Sequence, residues 1–162
     1  MTPRVLLGTA DGRLIALNAK TGKLIPGFGN EGVVNLRSGV ADNYPNNQYG
    51  LESPPVIYRD LAFTCSNVQE IPGNGPSGDA PAWNVLSGKL TWTFHTVARS
   101  EEPGHDTWED ESASDRSGTN VWRFITVDAK NGIIFLQIGS PSYDFYGWQY
   151  RSGCEATRRL PH

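Results

Sequence analysis

The tryptophan at position 122 is the side chain best suited to holding a flat ligand. It follows the small polar residues 118–120 and stands near the start of residues 121–128, which are rich in β-branched and aromatic types. An indole is large, rigid and flat, so Trp122 either fills a core or offers its face to a planar ligand. The residues alone leave both interpretations open.

Acidic side chains supply the candidate metal ligands. Glu70 lies in a Gly-, Pro- and Asn-rich loop that follows a predicted strand, where a carboxylate can bind a hard divalent cation. From the residues alone, an exposed glutamate without a ligand is the commoner case. The segment 105–111, which contains four acidic residues, is typical of a solvated loop. His95 and His105 have no partners at a regular metal-ligand spacing.

Strands must position these groups, because no part of the sequence shows a convincing helical period. Eighteen glycines, eleven prolines and five tryptophans fit a turn-rich, all-β protein. The predicted strands are 4–9, 13–18, 23–25, 54–58, 61–65, 80–85 and 89–94, with two more within 121–138. Residues 32–53 are polar and aperiodic, and they are interpreted as a long excursion at one end of a sheet or as an ordinary surface loop.

A repeated turn indicates how these strands are grouped. Residues 16–24 match residues 82–90, so that Gly22 and Gly88 are 66 residues apart. Glycine supplies the left-handed turn residue. Trp92, which follows the second copy, is predicted to pack between neighbouring sheets. Repeats of this length are typical of radial or solenoid arrays.

Charge and hydropathy exclude several classes of function. A formal net charge of −3 argues against nucleic-acid binding, which needs a basic patch. No apolar run is long enough for a transmembrane helix, and residues 1–4 do not form a signal peptide. Two cysteines, Cys65 and Cys154, are too few for a disulfide scaffold but leave a bond between them open.

Three segments resemble the pyrroloquinoline quinone (PQQ) dehydrogenases, the quinoprotein alcohol and glucose dehydrogenases. They are Thr-Trp-Glu at 107–109, Gly-Thr-Asn-Val-Trp at 118–122, and Gly-Ser-Pro-Ser-Tyr-Asp-Phe-Tyr-Gly at 139–147. The last looks most like the glucose-dehydrogenase branch, and the resemblance covers most of residues 4–147.

This resemblance implies part of an eight-bladed β-propeller, about two to two and a half blades of four-stranded antiparallel sheets. The chain then resembles an internal fragment of such a protein. The expected units are a partial blade at 4–28, a complete blade at 54–95 and half a blade at 121–138. Residues 148–162 do not resemble the family. They are expected to form a disordered tail, and a shifted reading frame would explain them.

The resemblance also implies a cofactor site. Trp122 would be the floor on which the quinone lies. Asn67, Val68 and Gln69 would contact the quinone edge, and Glu70 would bind calcium through its carboxylate.

Two further residues depart from the family pattern. Ser140 stands where the alcohol-dehydrogenase branch has an asparagine metal ligand, and its hydroxyl would ligate calcium more weakly, with Asp144 close by. Arg123 replaces the usual glycine after the tryptophan. It would either clash with the cofactor or pair with its carboxylates.

The implied function is oxidation of a sugar or polyol by hydride transfer to PQQ, assisted by Ca²⁺. Relatives work in the bacterial periplasm, and the membrane-bound ones pass electrons to ubiquinone; other acceptors serve elsewhere in the family. The family's general base and its assisting cation would lie beyond His162, and the lid over the cofactor would precede Met1. No catalytic residue is therefore assigned, and the chain is expected not to turn over by itself.

Two other functions remain open. A non-catalytic PQQ-like repeat propeller would keep the Gly-Lys-Leu-x-Trp repeat but has no need to keep Glu70 together with Trp122. A carbohydrate-binding β module rests on aromatic residues only.

Overall fold

Antiparallel strands form almost all of the regular structure. The computed structural model describes residues 3–109, 112–114 and 116–142. The predicted tail at 148–162, which includes Cys154, lies outside these residues, and so does Asp144. Strands in the described residues are β1 Arg4–Gly8, β2 Arg13–Asn18, β3 Val33–Asn35, β4 Tyr49–Gly50, β5 Val56–Tyr58, β6 Leu61–Phe63, β7 Asn67–Val68, β8 Ala80–Asn84, β9 Leu90–Phe94, β10 Val121–Asp128 and β11 Ile133–Ile138. In that same part of the chain the one helical element is the 3-10 turn His105–Thr107, and no helix is long and apolar enough to cross a membrane.

The first sheet has the order β1-β2-β3. The prediction of a strand at 23–25 is wrong, because Leu24 makes only an isolated bridge to Leu17. The third strand is β3, which pairs Val33 with Ile15. The first sheet therefore extends to residue 35, and residues 32–53 are not simply a loop. They also carry β4 and several buried apolar side chains, among them Leu36 and Tyr49.

The second sheet has four antiparallel strands in the order β5-β6-β8-β9. This confirms the four-strand prediction, although β5 and β6 are shorter than expected. Two residues of the loop after β6 form β7, which pairs with β4. The hairpin β10–β11 is the third unit, as predicted.

The same turn occurs three times in the described residues. The turns begin at Asn18, Asn84 and Asp128 and end at Gly22, Gly88 and Gly132. In each, an Oδ1 atom accepts hydrogen bonds of 2.9–3.3 Å from the backbone N–H groups two and three residues further on. Each closing glycine has a φ of 68–70°, which other residues adopt only with strain. The third copy has Asp in place of Asn, so the turn needs only a side-chain oxygen acceptor.

Two apolar clusters fill the spaces between successive units. One joins the first sheet to residues 36–51, with Trp83 packed against it. The other joins the second sheet to the hairpin through Phe63 and Val121. Trp92 is not part of either cluster; it is exposed and meets Phe63 edge-on, with ring centroids 5.8 Å apart. In the described residues, the tryptophan between sheets is thus Trp83 rather than the predicted Trp92.

Candidate functional site

A cavity of about 330 Å³ opens where the loop after β6 meets the start of β10. It is lined by residues 65–70 and 120–123, together with Gln48, Glu52 and Ser53. We call it the Trp122 cavity. Five of the six predicted site residues line it, although they come from segments about fifty positions apart in the sequence.

A β-bulge aims Trp122 into this cavity. Val121 pairs with Ile138 and Ile125 with Leu136, so residues 122–124 face a single residue on β11. Such bulges bend a strand and redirect its side chains. The indole is 48% exposed, which rules out its being a filler of the described core. Trp122 therefore contributes an accessible aromatic ring to the cavity wall.

Gly139 sets the position of that indole. A Cβ atom at residue 139 would lie 2.6 Å from Trp122 Nε1, closer than a carbon and a nitrogen can approach without displacement. The Gly139 N–H donates to Asn120 O at 2.9 Å, which fixes the backbone beside the ring. A side chain at 139 would therefore displace the indole, and glycine is the residue that leaves room for it.

Two hydrogen bonds tie the cavity walls together. Asn120 Nδ2 donates to Ser66 O at 2.7 Å, and Ser117 Oγ donates to Gln69 O at 2.8 Å. Asn120 and Ser117 are both buried, so neither bond competes with bulk water. Ser117 and Asn120, which precede Trp122, therefore hold residues 66–69 opposite the indole.

The three predicted quinone-edge residues differ in what they offer the cavity. Asn67 Nδ2 donates to Glu52 Oε1. The Val68 side chain is buried in the first core cluster, and its backbone belongs to β7, which pairs with β4 beside the cavity. Gln69 Nε2 donates to the carbonyls of Pro72 and Asn74, at 3.2 and 3.1 Å, and so shapes the following loop.

The oxygen donors of the cavity suit a hard cation. Glu70 is exposed at the cavity wall and makes no hydrogen bond or ion pair with another described residue, and Glu52 is a second carboxylate on the same wall. Carboxylate, amide and hydroxyl oxygens are the ligands that Ca²⁺ prefers. The described residues hold no cluster of three or more His, Cys, Asp or Glu side chains that could bind a metal.

Ser140 is not brought into the cavity. Its side chain is exposed, and it is absent from the described lining residues, although it follows Gly139. Cys65 does line the cavity, and burial raises the pKa of its thiol. A thiol that stays protonated at neutral pH is a weak nucleophile. Cys65 is thus a wall residue and not a reactive group.

Arg123 adds a positive charge to the cavity. Its φ of 61° lies in the left-handed region, and its side chain is exposed at the cavity wall. It makes no hydrogen bond or ion pair with another described residue. Glu52 was not predicted as a wall residue, because it lies in the stretch 32–53 that was interpreted as a loop. A carboxylate two residues before a pair of prolines and a predicted strand was the available signal.

A second cavity, of about 320 Å³, lies beside Asp79 and is also lined by His95, Arg99 and Arg116. Asp79 is 8% exposed, and its oxygens accept from Arg99 Nη2 at 2.6 Å and from the Thr96 N–H at 3.0 Å. We call it the Asp79 cavity.

Its other charged groups are paired as well. His95 Nδ1 lies 2.7 Å from Glu102 Oε1. Arg116 donates from Nη1 to Ser142 O at 2.8 Å and from Nε to Ser112 O at 3.2 Å. This arrangement fixes loops and leaves little capacity for a ligand.

Comparison with known proteins agrees with the fold. Residues 1–156 match the family model described as glucose/ethanol/alcohol dehydrogenase, beta-propeller domain, so the match extends into the segment 148–162 that was expected not to resemble the family. The chain is 34% identical over 145 residues to the quinate/shikimate dehydrogenase (quinone) of Acinetobacter baylyi, covering 89% of this chain and 18% of that protein. It is 32% identical over 145 residues to the quinoprotein glucose dehydrogenase of Escherichia coli, with the same coverage.

Solved structures give the same picture of the fold. Quinohemoprotein alcohol dehydrogenase from Comamonas testosteroni superposes with a TM-score of 0.64 at 22% identity, over 86% of this chain and 20% of that one. A europium-containing methanol dehydrogenase superposes with a TM-score of 0.57 at 20% identity, over 80% and 23%. The chain spans about a fifth of the length of the curated relatives that it matches.

Proposed function

Because the chain belongs to the β-propeller family of the glucose/ethanol/alcohol (quinoprotein) dehydrogenases, we propose that its Trp122 cavity holds PQQ in an enzyme of this kind. The observation that carries the proposal is the half-exposed indole, aimed by a bulge into a cavity that also contains residues 67–70. A non-catalytic propeller has no need for a bulge that places an aromatic face in a cavity.

The residues present fit such a cofactor. PQQ is flat, so the open face of Trp122 can stack on it. Its carboxylates and carbonyls call for hydrogen-bond donors and cations, which Asn67, the backbone of residues 68–69 and Arg123 can provide. The cavity volume lies in the range of small-molecule sites.

Glu70 is proposed as a ligand of Ca²⁺, with Glu52 as a second carboxylate on the same wall. In the bound state PQQ supplies the redox chemistry by accepting a hydride. The share of this chain's residues is to bind and orient: Trp122 forms the floor, Asn120 and Ser117 hold the opposite wall, and the carboxylates fix the cation. No described residue is assigned the proton transfer, which is proposed for the part of the enzyme outside this chain.

The proposed substrate is a sugar or polyol. Relatives at 30–34% identity are named for quinate or shikimate, glucose and glycerol, all of which are polyhydroxylated. A periplasmic location and electron transfer to ubiquinone or another acceptor are proposed with it. Residues 4–35, 54–95 and 121–138 are proposed as consecutive units of one propeller, a piece that does not turn over alone.

A fluorescence titration tests the proposal. PQQ is added to the 162-residue chain with and without Ca²⁺, while tryptophan emission is followed. We expect saturable quenching that is stronger with Ca²⁺ and an affinity reduced about tenfold or more in Trp122→Ala, because stacking area is lost. Trp92→Ala removes another exposed tryptophan outside the cavity and is the matched control. Equal affinities in the two variants, or no binding by the unmodified chain, would contradict the proposal, and no binding would favour a non-catalytic scaffold.

A further inference from the structure

We propose that Arg123 is a cofactor-binding residue particular to this chain, whose guanidinium pairs with a carboxylate of PQQ. The inference rests on the proposed function. It adds to that function a role for Arg123, because the resemblance left open whether Arg123 would clash with the cofactor or pair with its carboxylates.

Arg123 lies next to the proposed floor of the quinone site. Arg123 follows Trp122 directly in the bulge of β10 and lines the same cavity. A ligand that lies on the indole therefore has its edge within reach of the guanidinium. The arginine side chain is exposed and makes no hydrogen bond or ion pair with another described residue, so it is free to turn toward a ligand in the cavity. Pairing is thus compatible with the geometry, and a clash is not required.

The charges that line the Trp122 cavity favour a role for Arg123. Arg123 is the one positively charged residue among the described residues that line the Trp122 cavity, whereas Glu52 and Glu70 contribute two negative charges. Arg123 pairs with neither of them. PQQ is a tricarboxylate, and a single divalent cation would leave the occupied cavity strongly negative. A guanidinium matches the geometry of a carboxylate through two parallel N–H groups.

The backbone of Arg123 has an unusual left-handed conformation for a residue in a strand. Four non-glycine residues among those described have positive φ: Glu31, Arg59, Glu101 and Arg123. The first three lie in turns, and Arg123 lies inside a strand. Glycine would adopt this conformation without strain. A strained residue retained in a cavity wall is the kind of outlier from which a functional role is inferred.

Calorimetric titration with PQQ and Ca²⁺ tests the inference. We expect Arg123→Gly to weaken binding about tenfold, and Arg123→Lys to weaken it less because a charge remains. Arg59→Gly is the matched control: it relieves the same kind of backbone strain and removes the same charge, in the turn between β5 and β6, and it should leave the affinity unchanged.

The trimethyl ester of PQQ gives a second readout that does not depend on turnover. With the carboxylates esterified, the unmodified chain and Arg123→Gly should bind equally. If the unmodified chain binds PQQ and Arg123→Gly binds it as tightly or more tightly, this inference is overturned and the proposed function stands. If the unmodified chain does not bind PQQ at all, both are overturned.

Discussion

The Trp122 cavity and the Asp79 cavity have nearly the same volume and similar numbers of charged residues, but they use them differently. In the Asp79 cavity, the carboxylate is satisfied by Arg99 and Thr96, and His95 lies against Glu102. In the Trp122 cavity, Arg123 and Glu70 make no polar contact with another described residue. Volume alone therefore does not separate a binding site from a structural network; the difference lies in which charges are already paired.

The charged groups of the two cavities also differ in what they contribute to the free energy of folding. A buried carboxylate is stable only when hydrogen bonds replace the water that it loses. Asp79 meets this condition and contributes to stability. Exposed charges such as Arg123 and Glu70 remain hydrated, contribute little to folding and stay available for a ligand. We expect substitutions in the Asp79 cavity to change stability, and substitutions in the Trp122 cavity to change binding.

The largest expected effect is on stability, from Asp79→Ala. The substitution leaves Arg99 and the Thr96 N–H without their acceptor, and we expect the free energy of unfolding to fall by about 2–3 kcal/mol. Denaturant unfolding measures this. Asp11→Ala, which breaks the exposed ion pair with Arg13, is the control and should change little. A loss of stability no greater than in the control would remove the distinction between the two cavities.

Binding should respond most clearly to Gly139→Ala. The added methyl group must displace the Trp122 indole, and we expect the affinity for PQQ to fall about fivefold to tenfold, with a stability loss below about 1–2 kcal/mol. Gly27→Ala is the matched control, because nothing lies within 4 Å of a Cβ atom there. An unchanged affinity in Gly139→Ala would mean that the ring position does not matter for binding.

A smaller effect separates function from stability at a single residue. Arg123→Gly should raise the free energy of unfolding by up to about 1 kcal/mol, since relief of the left-handed strain is partly offset by the freedom of glycine in the unfolded chain. The same variant should bind PQQ more weakly. Thermal unfolding checks the first statement; Arg59→Gly should gain less, because it also loses the cation–π contact of Arg59 with the Tyr58 ring. A destabilised Arg123→Gly would show that the arginine is needed for folding.

The smallest expected effect is the pH dependence of the loop beside the Asp79 cavity. The Arg99 N–H and then His95 hold the pKa of Glu102 below its ordinary value of 4.5. A carboxyl whose pKa is lower in the folded than in the unfolded chain contributes stability above pH 4.5, and this contribution is lost as the pH falls through the folded-state pKa. Melting temperatures measured below pH 4.5 should therefore fall less in Glu102→Gln than in the unmodified chain. Parallel curves would contradict this.

The sequence predicted most where local rules are strong. The strand at 13–18 and the Asn-to-Gly turns were correct, because a short apolar run between two turn signals and left-handed glycines specify them locally. The β3 strand was missed, since three residues held only by pairing with β2 carry no periodic pattern. The position of Trp92 was wrong because two tryptophans, 83 and 92, stand near the same turn, and only packing decides which is enclosed.

The site was predicted in type more than in detail. Trp122 and Glu70 were predicted as site residues through resemblance, but the bulge beside the indole arises from the register of β10 on β11 and is not visible in sequence. The contact of Asn67 with Glu52 joins two loops, and such contacts depend on the completed fold. Ser140 has the expected spacing but does not line the cavity.

The most direct test of the account is an NMR titration of the ¹⁵N-labelled chain with PQQ and Ca²⁺. The indole N–H signal of each tryptophan is observed separately, and Trp122→Phe identifies the signal of Trp122. We predict that this signal shifts saturably together with the backbone signals of residues 67–70, while those of Arg99 and Asp79 stay in place. Shifts confined to the Asp79 cavity, or a Trp122 signal that does not move, would contradict the claim that the Trp122 cavity binds the quinone.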